Sequence, residues 1–447
     1  MPTSGGFNAI IMKIELNRAV VFSLIFRSWQ ASAAVITIPL VVLFLSPEMR
    51  GTYYTFVNLA ALQSFLELGF GIVITITASH EWKSLRLSPN NEILGDETAR
   101  DRLITLGRLV MKYFGYATII YVIVIAAAGY LIIRQEMAGD RSWVAPWLCY
   151  VLVSAGLFCI APFLGILEGC NQVASAARFR LSQSIVSSAV LWTSIASGIG
   201  LWSLVAAGCA ALLVAALYML VIKRGFFLSF LERPEGVSMS WRRDLLPMQW
   251  RLAMQGMFTY LSFPLYTVLT FHYLGAVEAG RMGIALQIIG GIQTVGLVFL
   301  SARVPEFAIL AASGQRETLR RRCTRATFHS MAAIAGMGLT ALLALYALQW
   351  LRVPQVHRML DVGAFGVFVI GITLTALIQG IALFLRAYKM ELLTPAGVVG
   401  GLCYGASAWL VCQSYGSIGI ALSHALVTAF VILPISVYIA KNSLVRI

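Results

Sequence analysis

Five polar side chains stand inside otherwise apolar stretches, and four of them, two arginines and two glutamines, could together hold a group of clustered negative charge. Arg27 and Gln30 lie in "FSLIFRSWQASAAVITIP" (22–39), Arg251 and Gln255 in "PMQWRLAMQGMFTYLSFP" (247–264), and Glu67 in "LAALQSFLELGFG" (59–71). On a helix, residues three and four apart share a face, so Ser23, Arg27 and Gln30 align, as do Arg251 and Gln255. A guanidinium presents a planar fork of donors to an oxyanion, and the carboxamide beside it both donates and accepts. Glu67, four residues after Gln63, has two readings. It is either the charge partner that a buried arginine needs or an ion-coupling carboxylate.

The elements that must position these groups follow from composition. The chain has 447 residues, 59% hydrophobic and 12% charged, too little polar surface for a protein folded in water. A bilayer core about 30 Å thick is crossed by about 20 apolar residues. Twelve such windows recur, at 18–45, 52–78, 106–133, 144–167, 179–201, 203–222, 245–272, 280–301, 330–350, 359–385, 392–413 and 416–440. They are continuous rather than alternating, which excludes the strands of a membrane barrel and leaves helices. The first window is too long for a cleavable signal peptide and is expected to remain. If that helix starts at Arg18, Arg27 lies about 13 Å along it at about 1.5 Å per residue. There it either faces a wet interior or snorkels to the surface.

The net charge of +14 is read as topology rather than as nucleic-acid binding. Apart from Arg27 and Arg251, the only Lys or Arg outside the N-terminus, even-numbered loops and C-terminus are Arg50, Arg134, Arg141, Arg281, Arg352 and Arg358. By the positive-inside rule both termini are expected in the cytoplasm. The seven cysteines form no C-x-x-C pair, so neither a disulfide framework nor a metal site is expected.

Sliding the chain by 225 residues sets Gln30 over Gln255 and Pro39 over Pro264, with Arg27 and Arg251 one position apart. "LSPEMRGTYY" and "LGAVEAGRMG" also correspond loosely, bringing Gly51 and Gly280 into register. Weak internal symmetry of this kind accompanies transporters built from two halves. The expected organisation is an N-terminal six-helix lobe over 1–222, a cytoplasmic linker over 223–244 and a C-terminal six-helix lobe over 245–447. The linker, with its aromatic residues between Phe226 and Phe230, is expected on the membrane surface. Two long basic connectors, 81–108 and 302–328, follow spans two and eight, and Arg320, Arg321, Arg322 and Arg325 fall within two turns of a helix. Gln287, Gln293 and Gln379 are weaker site candidates, since membrane amides commonly bond neighbouring helices. The five histidines are read at span ends or in loops. No nucleotide-binding, serine-hydrolase or zinc-protease motif is present, so neither an enzyme nor a cofactor is expected.

The passage "FLSPEMRGTYYTFVNLAALQSFLELGFGIVITITASHEW" (44–82), preceded by the Arg27 helix, resembles the first two helices of polysaccharide-exporting flippases. These are the Wzx-type O-antigen and capsule translocases of the multidrug/oligosaccharidyl-lipid/polysaccharide (MOP) superfamily. "LSPEMRGTYYTF" is the most specific part. The resemblance implies a MATE-like V of two six-helix lobes around a central cavity, in a bacterial inner membrane. It implies transport of an undecaprenyl-pyrophosphate-linked oligosaccharide from the cytoplasmic to the periplasmic leaflet, with a polysaccharide polymerase and a chain-length regulator as candidate partners. Arg27 and Arg251 would hold the pyrophosphate, Gln30 and Gln255 would bond sugar hydroxyls, and Trp29, Trp250 and Tyr260 would stack on sugars or simply pack. The competing readings are a multidrug/cation antiporter of the same superfamily and a membrane O-antigen polymerase or ligase.

Overall fold

The computed structural model describes residues 22, 25–26, 28–30, 32–67, 69–137, 139–233, 239, 241, 260–352, 358–388, 390 and 392–444. The protein is an all-α, multi-pass membrane protein. Among the described residues, seven helices are long and apolar enough to cross a bilayer. Membrane immersion explains an otherwise contradictory surface on α5 (Glu97–Glu136). Phe114, Ala117, Tyr121 and Ile125 point into protein, while Tyr116, Ile119, Ile120, Ile123 and Val124 are 51–64% exposed on the opposite face. A helix that is apolar all round and packed on only one side needs lipid on the other.

Contacts divide the chain into two compact units: 1–40, 62–131 and 139–253 in the first, and 41–61, 132–138 and 254–447 in the second. The first contains most of α1 (Ser28–Phe44), then α3 (Gln63–Glu67) and α4 (Phe70–Glu81). It continues with most of α5, α6 (Val144–Gly169), α7 (Val173–Ala196) and α8 (Trp202–Leu217), which runs on as a π-turn to Ile222. Small residues bring α4 and α6 together. Thr75 Oγ1 donates to the carbonyls of Gly71 (2.9 Å) and Gly165 (3.1 Å), and a Cβ at Gly169 would stand 2.5 Å from the Thr75 carbonyl oxygen. Gly165 and Gly169 thus form the G-x-x-x-G stripe that lets membrane helices approach backbone to backbone. Ion pairs tie neighbouring elements at the span ends, with Arg102 Nε 3.0 Å from Glu81 and Arg180 Nη1 2.6 Å from Glu168.

The connector after span two carries a feature that helical periodicity could not show. Strands β1 (Leu85–Leu87) and β2 (Ile93–Gly95) pair antiparallel, Leu85 opposite Gly95. The segment read as a surface linker also differs. Phe226, on the short helix α9 (Arg224–Leu228), and Phe230 are 0% and 1% exposed. They are packed into the first unit's core with Phe163. Trp241 stacks on Tyr113 at 5.0 Å and lies 4.5 Å from Phe70. These rings found a protein interior, which buries both faces of an aromatic side chain where a membrane surface covers one.

The second unit opens with α2 (Pro47–Ala60). Ser46 caps it by accepting from the Met49 amide (3.2 Å), Pro47 sits in its first turn and Glu48 faces the positive end of the helix dipole. It packs on α10 (Phe263–Leu274) and α11 (Ala276–Gly296). Then come α12 (Val298–Ser301), α13 (Val304–Ala312), α14 (Arg316–Trp350), α15 (Val362–Ala387), α16 (Thr394–Val427), a π-turn over Thr428–Ile432 and α17 (Leu433–Leu444). The run from Thr394 to Ser443 holds two spans, because Gly416 leaves helical geometry at φ 57, ψ −147. Tyr404 bonds to Thr428, Ser407 bonds to Ser423, and Gly400 faces Ile432. All three pairs centre on residues 415–416, which defines an antiparallel hairpin. Arg320, Arg321, Arg322 and Arg325 do lie on the opening turns of a helix, α14.

Candidate functional site

Span two, read from the sequence as one helix, is broken in the structure. After α2 the chain turns at residues 61–62, resumes for the five residues of α3, and breaks again at Gly69, which adopts a left-handed conformation at φ 68 before α4 begins. Glycine takes that geometry without the Cβ clash other residues suffer. Backbone groups freed inside a membrane need partners, and one is met by Tyr113 Oη, which donates to the Leu66 carbonyl at 3.0 Å.

Glu67 is the last residue of α3 and is exposed. Among the described residues no hydrogen bond or ion pair engages its carboxylate. Its Oε1 lies over Gly71, where a Cβ would come within 3.2 Å of it. Irregular backbone at membrane depth occurs where it is buried in protein or lines a wet space, and discontinuous helices supply ion and substrate sites in transporters. An exposed carboxylate at such a break is therefore the strongest site candidate in the first unit.

Gln30 lies on α1 and is exposed. Arg27, Arg251, Gln255 and Trp250 lie outside the described residues. The structure brings neither Gln30 nor Glu67 into hydrogen bonding with another described residue of the expected set. The other aromatic candidates serve packing. The Trp29 ring lies 5.9 Å from that of Trp192, whose Nε1 donates to Thr37 Oγ1 at 2.9 Å. Tyr260, 5% exposed, donates to the Asn58 carbonyl at 2.9 Å. Gln287 accepts from Tyr54 Oη at 2.7 Å, an amide joining two helices.

His424 corrects the reading of the histidines. It lies in the returning arm of the 394–443 hairpin and is 3% exposed. Its Nδ1 is 3.1 Å from Tyr266 Oη, and its ring stacks on Tyr404 with centroids 4.7 Å apart, beside Phe263 at 4.9 Å. No partner meets its Nε2 among the described residues. A lone histidine in an apolar stretch has no spacing pattern to announce this enclosure.

No family model and no curated protein sequence matches the chain. Solved structures do. The chain is similar over 94% of its length to an inward-facing multidrug resistance MATE family transporter of the MOP superfamily, 99% of which is covered, with a TM-score of 0.67 and 13% identity. It is similar to the lipid II flippase MurJ in an inward-closed conformation, with a TM-score of 0.58, 14% identity, and 96% of this chain and 90% of that one covered. A MOP superfamily transporter from Pyrococcus furiosus, described as having a binding pocket of reversed polarity, aligns over 97% of both chains with a TM-score of 0.55 and 16% identity. At these identities the likeness establishes the fold, the all-α membrane fold that MATE transporters and MurJ share.

Proposed function

We propose that the protein is a secondary transporter, a flippase that carries an undecaprenyl-pyrophosphate-linked oligosaccharide across a bacterial inner membrane by alternating access. The observation that carries the transporter reading is the broken second span with an exposed carboxylate at its break, in a fold shared with MATE transporters and MurJ. The lipid-linked substrate is supported by the resemblance of residues 44–82 to polysaccharide flippases and by the kinship in fold to a lipid II flippase. In this reading Arg27 and Arg251 hold the pyrophosphate, Gln30 and Gln255 bond sugar hydroxyls, and Glu67 couples transport to an ion or neutralises Arg27. Residues 1–222 and 245–447 form the two lobes, with both termini cytoplasmic.

The test is flipping of a fluorescent undecaprenyl-pyrophosphate oligosaccharide in vesicles containing the purified protein. Arg27→Ala and Arg251→Ala should each abolish most of the activity at unchanged protein level, with lysine restoring part of it. Wild-type rates in both alanine variants would exclude the arginine site. An exposed carboxylate without a cationic partner among the described residues also suits a drug/cation antiporter. That second reading gains if Glu67→Gln stops efflux of a cationic dye from vesicles that show no flipping.

A further inference from the structure

The first unit holds a second polar site on different residues. A cavity of about 560 Å³ opens where α7 begins and α8 ends. Its polar wall is made of Arg178, Lys223, Asn91, Ser175, Ser182 and Tyr218. Leu217 and Val214 are among the cavity's apolar lining.

The polar wall is held by specific contacts. Lys223, the first residue beyond the π-turn that ends span six, donates through Nζ to Asn91 Oδ1 at 2.8 Å and to Gln172 Oε1 at 3.4 Å. Asn91 sits at the tip of the β1–β2 hairpin in a left-handed conformation, φ 61, and its Nδ2 donates to the Ile222 carbonyl at 3.3 Å. The hairpin is thereby docked on the end of span six, and Gly225 permits the approach, since a Cβ there would meet the Asn90 carbonyl. Ser175 and Tyr218 share a hydrogen bond of 2.8 Å across α7 and α8. The guanidinium of Arg178 lies 5.5 Å over the Phe22 ring.

Two cations therefore face one cavity, and among the described residues no carboxylate lies within ion-pairing distance of either. The nearest acidic residue along α6, Glu168, is engaged by Arg180. Like charges left together without a counter-ion make a site for an anion from outside the chain. Burial, and after it the Arg178 charge, pull the Lys223 ammonium below its ordinary pKa, a cost that a bound anion would remove. The arrangement of two cations, three hydroxyls and an amide suits a tetrahedral oxyanion with several acceptor oxygens, and the apolar lining suits an acyl chain.

We propose that the Arg178–Lys223 cavity binds a phosphate group, as a monoester or diester, either on a bilayer lipid or on a soluble molecule. This site is independent of the transported substrate, and its test involves no transport. The full-length protein in detergent micelles is titrated with two probes, a fluorescent short-chain phosphatidic acid and inorganic phosphate. Arg178→Gln and Lys223→Gln should each weaken the bound probe roughly tenfold, and the double variant more, while Arg321→Gln on α14 leaves it unchanged. Loss confined to phosphatidic acid assigns a lipid headgroup, and loss confined to inorganic phosphate assigns a soluble anion. Arg178→Lys combined with Lys223→Arg keeps both charges and should hold affinity within about threefold, which covers the event that the neutral variants fail to fold. The site is overturned if the wild type binds neither probe, if the double variant binds both as tightly as the wild type, or if the charge-retaining pair, still monodisperse, loses binding.

Discussion

Within about twenty residues, span two passes from a close helix crossing to a segment with no buried residue. Along α2, Arg50, Gly51, Thr52, Tyr53, Tyr54, Thr55 and Phe56 are all buried, and Gly51 is so close to the backbone of Ala276 that a side chain there would run into its carbonyl. Gly280 and Gly283 complete the crossing by accepting Arg50 and Tyr54 against the α11 backbone. Along α3 no residue is buried, and the helix ends after five residues. The difference is one of side-chain size and backbone satisfaction. Small residues on both sides of a crossing let dispersion and one interhelical hydrogen bond hold a membrane helix, whereas α3 carries the longer polar side chains of Gln63 and Glu67.

This contrast is broken most severely at Gly51. Gly51→Leu should destabilise the protein by about 3 kcal/mol or more, because the obstacle is backbone and cannot rotate away. Yield and Tm in detergent report it, and a Tm within a degree or two of wild type would mean that the crossing is slack. At the loose end, Gly69→Ala forces a Cβ into left-handed geometry and should cost about 1 kcal/mol. An increase in Tm would show that the break is not a fixed part of the fold. Tyr54→Phe removes the bond to Gln287 and should lower stability by about 0.6 kcal/mol, the usual worth of a hydrogen bond between membrane helices. Combining it with Gln287→Leu should recover part of that loss, since a half-buried amide left unpaired between helices is worse than none. The smallest effect on stability is expected at Glu67. Glu67→Gln should change it by less than about 0.5 kcal/mol while altering transport or its ion dependence. A loss as large as that of Gly69→Ala would reveal a structural partner for the carboxylate.

Much of the fold was legible because hydropathy over twenty residues is a local property: the helices from α5 to α8 and from α14 to α16 fall where continuous apolar runs placed them. The correspondence of Gly51 with Gly280 was visible as a weak alignment, and the two segments lie against each other in the second unit. The break in span two was not legible, since "ALQSFLELG" contains no proline and only Gly69 signals it. Phe226 and Phe230 looked like membrane-surface residues because amphipathic sequence cannot tell lipid from a protein interior. Arg178 and Lys223 were read as topology alone, and only the docking of the Asn91 turn, 132 residues away in sequence from Lys223, makes them a pair. The enclosure of His424 depends on rings from α10 and from the other arm of its own hairpin, which no local pattern announces.

The turn at Gly416 has a consequence for biogenesis. With a single non-helical residue between its arms, the 394–443 hairpin offers only the short polar tip Gln413–Ser417 to pause translocation after the first arm. The two arms are expected to enter the bilayer together, already held by Tyr404–Thr428 and Ser407–Ser423. An insertion machinery that releases spans one at a time would therefore have to accept this pair as one substrate, and a glycosylation tag placed at residue 416 should disrupt assembly rather than report topology.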